Sequence, residues 1–121
     1  MVSVTGGNLS ILVLMATTKD TVAFLLDQLA PLDVRARAMF GEYALYCDEK
    51  VVGFICDDLL FIKPSAGDAD FAAQTIAAPC YPGSKDYWLL NGSQVDNTAW
   101  LQAFVRSTAD ALPAPKPKKP R

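Results

Sequence analysis

The sequence predicts an α+β domain in which N-terminal, middle and C-terminal helices pack on an antiparallel β-meander sheet. Apolar residues recur at helical spacing near both ends of the chain. Between those segments the apolar spacing changes to two, which is the period of a strand. With 121 residues, of which 51% are hydrophobic, the chain can form one domain around one core.

The first helix is predicted over residues 19–30. Thr17 or Thr18 can cap its start, because a hydroxyl accepts a hydrogen bond from the first free backbone N–H groups. Pro31 ends it, since proline cannot continue the hydrogen-bond ladder. The residues at positions i, i+3, i+4 and i+7 of its apolar face are Val22, Leu25, Leu26 and Leu29.

From Asp33 onward the period of two predicts a strand that Gly41 interrupts, followed by a three-stranded meander. The meander strands are predicted over residues 43–47, 51–56 and 59–63, with two-residue turns at 48–49 and 57–58. Glu49 is poorly suited to the positive φ of such a turn, which favours a first loop one residue longer.

The predicted register decides which residues share a face of the sheet. It places Leu45 opposite Val52, and Phe54 opposite both Tyr43 and Phe61. One face would then hold Tyr43, Leu45, Cys47, Val52, Phe54, Cys56, Leu59 and Phe61, and the other Ala44, Tyr46, Gly53, Ile55, Leu60 and Ile62. Both faces are apolar and need cover, so we expect a second helix group or a homodimer to supply it.

The second half of the chain predicts a short helix over residues 68–77, with Phe71 and Ile76 inward. An irregular loop over 78–85 follows, then a strand over 86–90 and an Asn-Gly turn. A last helix is predicted from a cap at Asp96 to about residue 110. Pro82-Gly83 in the loop is the pair that a type II turn favours at its centre.

Three parts of the chain are distinguished. Residues 1–14 are expected to be a non-native or disordered leader, because helix signals begin at Thr17 and the apolar run up to Met15 is too short to span a membrane. Residues 15–112 form the predicted domain. Residues 113–121 alternate proline with basic residues, which predicts a disordered basic tail.

Composition excludes several classes of function. The chain has no histidine, so it contains no Ser-His-Asp or Cys-His catalytic group. Its three cysteines have unrelated spacings, which argues against a zinc site and predicts three free thiols in the reducing cytoplasm. All thirteen acidic residues lie before residue 116, whereas four of the last six residues are basic. Nucleic-acid binding would therefore be at most weak and confined to the tail.

Three segments occur in an order and spacing that one known family shares: 34–46, 58–63 and 79–87. The residues that carry the pattern are Met39, Phe40, Gly41, Tyr43, Pro82 and Gly83. Together they resemble the N-terminal domain of the bacterial TfoX/Sxy competence regulators over about residues 15–112. The sequence departs from that pattern at Cys80, Ser84 and Asp86.

The resemblance implies an α+β fold and a link to the transcriptional regulation of competence. It implies no catalytic residues, so we expect a non-enzymatic domain without a cofactor or a metal, which binds a protein partner such as the transcription machinery. From the resemblance we expect a stand-alone N-terminal domain that lacks the second, helical domain of full-length competence regulators.

Four residues are candidates for binding: Arg35, Arg37, Tyr81 and Lys85. The two arginines share a strand face and could hold an anion, or could simply pair with Glu42 or with the aspartates of the meander. Tyr81 and Lys85 flank the rigid Pro82-Gly83 turn. The alternative function is a small-ligand or enzymatic pocket built around these four residues. The strand aromatics could stack on bases, but core packing explains them better.

Overall fold

The computed structural model describes residues 17–114. The predicted leader, residues 1–14, and the basic residues of the predicted tail lie outside this range. The described elements are α1 (Lys19–Leu29), β1 (Val34–Met39), β2 (Glu42–Cys47), β3 (Lys50–Cys56), β4 (Leu59–Ile62), α2 (Ala69–Ala72), β5 (Ile76–Pro79), β6 (Asp86–Leu89), α3 (Gly92–Asp96) and α4 (Thr98–Ala111). The predicted α+β class is confirmed.

The strands form one antiparallel sheet in the order β1-β2-β3-β4-β6-β5. Strands β2, β3 and β4 are the predicted three-stranded meander. The strand predicted before it is β1, which a tight turn at Phe40-Gly41 joins to β2. The hairpin of β5 and β6 joins the sheet through β6, which pairs with β4 at only two positions, Phe61 with Leu89 and Ile62 with Trp88. Most of the hairpin therefore extends beyond its contact with the meander.

Helices α1 and α4 cover one face of the sheet and form the core with it. The core residues include Leu25, Leu29, Leu45, Val52, Ile55, Leu60, Ile62, Leu101, Phe104, Val105 and Ala109. Phe71 of α2 stacks on Phe104 with ring centroids 4.7 Å apart. Each large apolar side chain buried in this way stabilises the fold by about 1.5–3 kcal/mol.

Side-chain caps fix the helix starts. The Thr18 hydroxyl accepts the backbone N–H of Thr21 at 3.2 Å, as predicted for α1. The C-terminal region differs from the prediction in two ways. It holds two helices rather than a turn and one helix, and Asp96, the predicted cap of the last helix, is the final residue of α3. Asn91 forms a capping box with Gln94 at the start of α3, and Asn97 caps α4.

The predicted register of β2 and β3 is wrong beyond their turn. Tyr46 pairs with Val51 as predicted, but a bulge then shifts the register, so that Leu45 pairs with Gly53 and Tyr43 with Ile55. An extra residue on one strand changes the face on which every later residue lies. Ile55 therefore packs under the helices together with Val52. Phe54 lies on the opposite face, where it pairs with Ala44.

The predicted loop extension at Glu49 is also wrong. Asp48 and Glu49 form a two-residue turn with φ of 55° and 65°. Arg106 of α4 forms an ion pair with Asp48, and Lys50 Nζ donates to the carbonyl oxygen of Ala109 at 2.7 Å. These contacts hold the turn against the helix end, and they offset part of the cost of a left-handed backbone at non-glycine residues.

The middle helix is shorter than predicted. Only Ala69–Ala72 is helical, and Ile76–Pro79, predicted to be partly helix and partly loop, is strand β5. Phe71 points inward as expected, but Ile76 is 65% exposed. Pairing with β6 decides the conformation of this segment, because four residues carry too little periodicity to favour a helix.

The hairpin of β5 and β6 folds over the sheet face that the helices leave open. Tyr87 of β6 meets Phe54 of β3 edge-on, with ring centroids 5.5 Å apart. Cys80, just after β5, forms a disulfide with Cys56 at the end of β3, with their Cα atoms 6.1 Å apart. The prediction of three free thiols is therefore wrong, and Cys47 is the free, buried cysteine.

Between Thr17 and Ala114, none of the helices combines the length and the apolar character that crossing a lipid bilayer requires.

Candidate functional site

The candidate site is a cleft of about 260 Å³ between the β1–β2 turn and the loop that joins β5 to β6. Its lining residues are Met39, Phe40, Glu42, Phe54, Cys56, Cys80, Tyr81 and Tyr87. Residues of the two main sequence motifs, forty positions apart in the chain, therefore meet at one place. The cleft lies on the sheet face opposite the helices, beside the Cys56–Cys80 disulfide.

The β1–β2 turn presents an aromatic ring to solvent. Phe40 and Gly41 have φ of 52° and 84°, the two positive values that a type I′ hairpin turn requires. A bulky residue rarely adopts this backbone. The side chain of Phe40 is also fully exposed, at 103% of its reference area, and Met39 beside it is 40% exposed. The Phe40 side chain therefore gains no burial that would offset its unfavourable backbone.

The opposite wall of the cleft is a preformed loop. Ser84 donates its backbone N–H to the carbonyl oxygen of Tyr81 at 3.0 Å, and Gly83 has φ of 89°, as the predicted type II turn requires. The Ser84 hydroxyl accepts the N–H of Cys80 at 3.0 Å and donates to the carbonyl oxygen of Lys85 at 2.9 Å. This loop holds Tyr81 with 64% of its surface exposed.

Glu42 is the charged residue of the cleft lining, and its contacts are structural. Its Oε1 accepts the Thr17 hydroxyl at 2.6 Å and the backbone N–H of Asp57 at 3.0 Å. These bonds connect the start of β2 to the β3–β4 turn. The other lining residues are apolar, aromatic or disulfide-bonded, so the cleft suits an apolar group better than an ion.

Arg35 is engaged within the fold. Its guanidinium donates to Glu49 at 2.9 and 3.1 Å and lies 4.1 Å from the ring centroid of Tyr46. The hydrogen bonds between the two side chains hold the pKa of Arg35 above its ordinary value and the pKa of Glu49 below it. The ion pair expected as the alternative to anion binding therefore forms, with Glu49 rather than with Glu42 or an aspartate.

The four predicted binding residues do not line one cavity. Tyr81 lines the cleft, whereas Arg35, Arg37 and Lys85 are not among its lining residues. Arg37 lies on the exposed edge strand β1, and no carboxylate among residues 17–114 forms a salt bridge with it. Lys85 is exposed. Burial of Lys63 lowers the pKa of its own amine, and the positive charge of Lys85 lowers it further.

Sequence reasoning missed two features. The Cys56–Cys80 bridge has no signal in spacing, because the two cysteines are 24 residues apart. The second feature is another apolar surface, around two cavities of about 340 and 390 Å³ that share Leu59. Phe24, Leu59 and Ile76 are exposed there. That surface is larger than the cleft, but it contains neither the Met-Phe-Gly turn nor the Tyr-Pro-Gly loop.

The geometry defines a small α+β domain with an apolar cleft formed by two motif segments. A sequence model of the TfoX N-terminal domain matches residues 25–112, and the chain belongs to this family. It is also 48% identical over 106 residues to a protein of Spirochaeta aurantia described as an uncharacterized 12.7 kDa protein in the trpE 5′ region, with 87% of this chain and 91% of that protein covered.

Proposed function

We propose that this protein is a non-enzymatic regulatory domain that acts by binding a protein partner at the cleft. The partner would insert an aliphatic or aromatic side chain between Phe40 and Tyr81. The observation that carries this proposal is Phe40, a fully exposed aromatic residue on a left-handed backbone. Such strain with no gain in packing is typical of a residue kept for recognition.

The size of the cleft favours a peptide side chain over a small molecule. At about 260 Å³ it lies below the usual range for small-molecule pockets, about 300–1,000 Å³. Aromatic and methionine side chains are also enriched where protein partners bind. Transcriptional regulation of competence, through the transcription machinery as partner, is the role that family membership suggests.

The available side chains support a role without catalysis. Burial raises the pKa of the Cys47 thiol, which disfavours the thiolate that a nucleophile needs. The other two cysteines are bridged to each other. The cytoplasmic location remains part of the proposal, although the bridge removes two of the three free thiols on which that prediction rested.

Peptide display tests the proposal. A library of random peptides is selected on the full chain, and the selected peptides are measured against wild type, Phe40→Ser and Phe24→Ser. Phe24 is the matched control, because it is an exposed phenylalanine on α1 that lines a different cavity. We expect peptides with apolar anchors whose dissociation constant rises about tenfold or more in Phe40→Ser, since one buried aromatic ring contributes about 1.5–3 kcal/mol.

The control should bind these peptides like wild type. Equal binding to wild type and Phe40→Ser would refute the assignment of the cleft, and failure to select any peptide would count against the proposed function itself. Peptides whose affinity falls only in Phe24→Ser would show that the binding site is the second apolar surface.

A further inference from the structure

The hairpin of β5 and β6 depends on few contacts for its position over the cleft. β6 pairs with β4 at two positions only, both at the base of the hairpin. Trp88 Nε1 donates to Asp68 at 2.8 Å, also near that base. An isolated two-stranded hairpin is only marginally stable in water. Its tip therefore needs a further attachment to stay on the sheet.

The attachment of the tip is covalent. Within the described part of the chain, the hydrogen bonds of the loop over residues 80–85 all stay inside that loop. The contacts that connect the tip to β3 include the Cys56–Cys80 disulfide, which is the covalent one, and the edge-on contact of Tyr87 with Phe54. Breaking the disulfide would leave the tip attached to β3 by non-covalent contacts such as that of Tyr87 with Phe54.

The two cysteines of the bridge differ in their exposure to solvent. Cys56 is 6% exposed, whereas Cys80 is only half-buried and follows directly after an exposed strand residue. A reductant therefore reaches the bridge from the Cys80 side. Cys47 is completely buried under the helices, so it cannot exchange with the bridge without unfolding of the core.

We propose that the Cys56–Cys80 disulfide is a redox latch that sets the shape of the cleft. The oxidised bridge holds Tyr81 and the loop against β3, and the reduced pair releases the hairpin tip and opens that wall. The latch rests on the proposed function in one respect, because the cleft it controls is the site assigned above to the protein partner.

The chemistry is thiol–disulfide exchange with a dithiol, either a small molecule or a redox protein. Its thiolate attacks Sγ of Cys80, the bond between Cys80 and Cys56 breaks, and Cys56 leaves as a thiolate that takes up a proton. The second thiol of the dithiol then displaces Cys80. Two electrons and two protons pass to the cysteine pair, and the dithiol leaves as a cyclic disulfide. A disulfide oxidant reverses the reaction.

Hydrogen exchange of the full chain tests the latch without a ligand. Exchange of residues 78–87 is compared between the oxidised protein, the protein reduced with dithiothreitol, and the double variant Cys56→Ser/Cys80→Ser. We expect exchange at the tip to be at least tenfold faster after reduction, and equally fast in the double variant with or without reductant. Strands β2 and β3 should keep their protection, and Cys47→Ala should respond to reductant like wild type.

Unchanged exchange at the tip would refute the latch. Equal loss of protection in β2 and β3 would also refute it, because the bridge would then stabilise the whole fold rather than the hairpin tip. Alkylation of the air-oxidised protein under denaturing conditions should detect one free thiol. Detection of three free thiols would show that the Cys56–Cys80 disulfide does not form, and the latch would be refuted.

The peptides selected by display test regulation of the site separately. We expect their dissociation constant to rise at least fivefold on reduction, since Tyr81 leaves the cleft wall. Equal affinity in both redox states would overturn the regulatory role. If display yields no peptide, the proposed function fails, while the exchange experiment still decides whether the latch exists.

Discussion

Gly53→Ala tests the packing at the centre of the sheet. Gly53 lies on β3, opposite Leu45 on one side and Ile62 on the other. A Cβ at this position would overlap the carbonyl oxygen of Phe61 and lie 3.1 Å from the Cα of Ile62. Both obstacles belong to the backbone of β4, so no side-chain rotation can relieve the overlap, and β3 and β4 must separate.

We expect the substitution to lower the free energy of unfolding by about 3 kcal/mol, the upper part of the usual range for overpacked cores. For a domain of this size that corresponds to a fall in melting temperature of about 12–24 °C. The measurement is thermal and urea unfolding followed by circular dichroism and tryptophan fluorescence. The slope of the urea transition should not change if the native fold is kept.

Gly92→Ala is the matched control. Its Cβ would meet nothing within 4 Å, and Gly92 begins helix α3, where alanine is favoured. The control should leave stability unchanged or raise it by up to about 1 kcal/mol. A loss below about 1 kcal/mol in Gly53→Ala would refute the reasoning, because β3 and β4 would then separate at little cost.

Three further predictions concern the charged surface and assembly. The hydrogen bond from the backbone N–H of Thr18 lowers the pKa of Asp58 from its ordinary value of 3.8. The Asp58 carboxylate therefore stabilises the fold above pH 3.8, and this contribution is lost as the pH falls through its lowered pKa in the folded state. Asp58→Asn should therefore destabilise at neutral pH by up to about 1 kcal/mol, and urea titrations should show the difference vanishing in acid; a constant difference would contradict this. Lys85→Ala should change stability by less than about 0.5 kcal/mol, as chemical denaturation would show, because Lys85 is exposed. The homodimer expected from the sequence should appear in sedimentation velocity at micromolar concentration, and a strict monomer there would argue against it.

The cleft shows how much of a site a sequence can predict. Met39, Phe40 and Tyr81 belong to segments that the sequence singled out, and Tyr81 was a predicted binding residue. Their convergence could not be predicted, because it depends on the hairpin of β5 and β6 folding across the meander. Arg35 was also singled out, but Glu49 and Tyr46 hold it away from the cleft.

Local chemistry determined the features that sequence analysis predicted well. The cap at Thr18 and the apolar period of 3.6 define α1 within a few residues. The turn at 57–58 and the Pro82-Gly83 turn follow from residues that are adjacent in the chain. Each of these depends on hydrogen bonds and backbone preferences that span four residues or fewer.

Tertiary structure alone decided the bulge at Leu45, the conversion of 76–79 to a strand, and the Cys56–Cys80 bridge. The bulge moves one strand by a single residue, a change that leaves the apolar pattern of the sequence intact. The strand exists because β6 lies beside it, and the bridge because the hairpin folds over β3. These features depend on contacts between distant segments, whose free energy no local pattern contains.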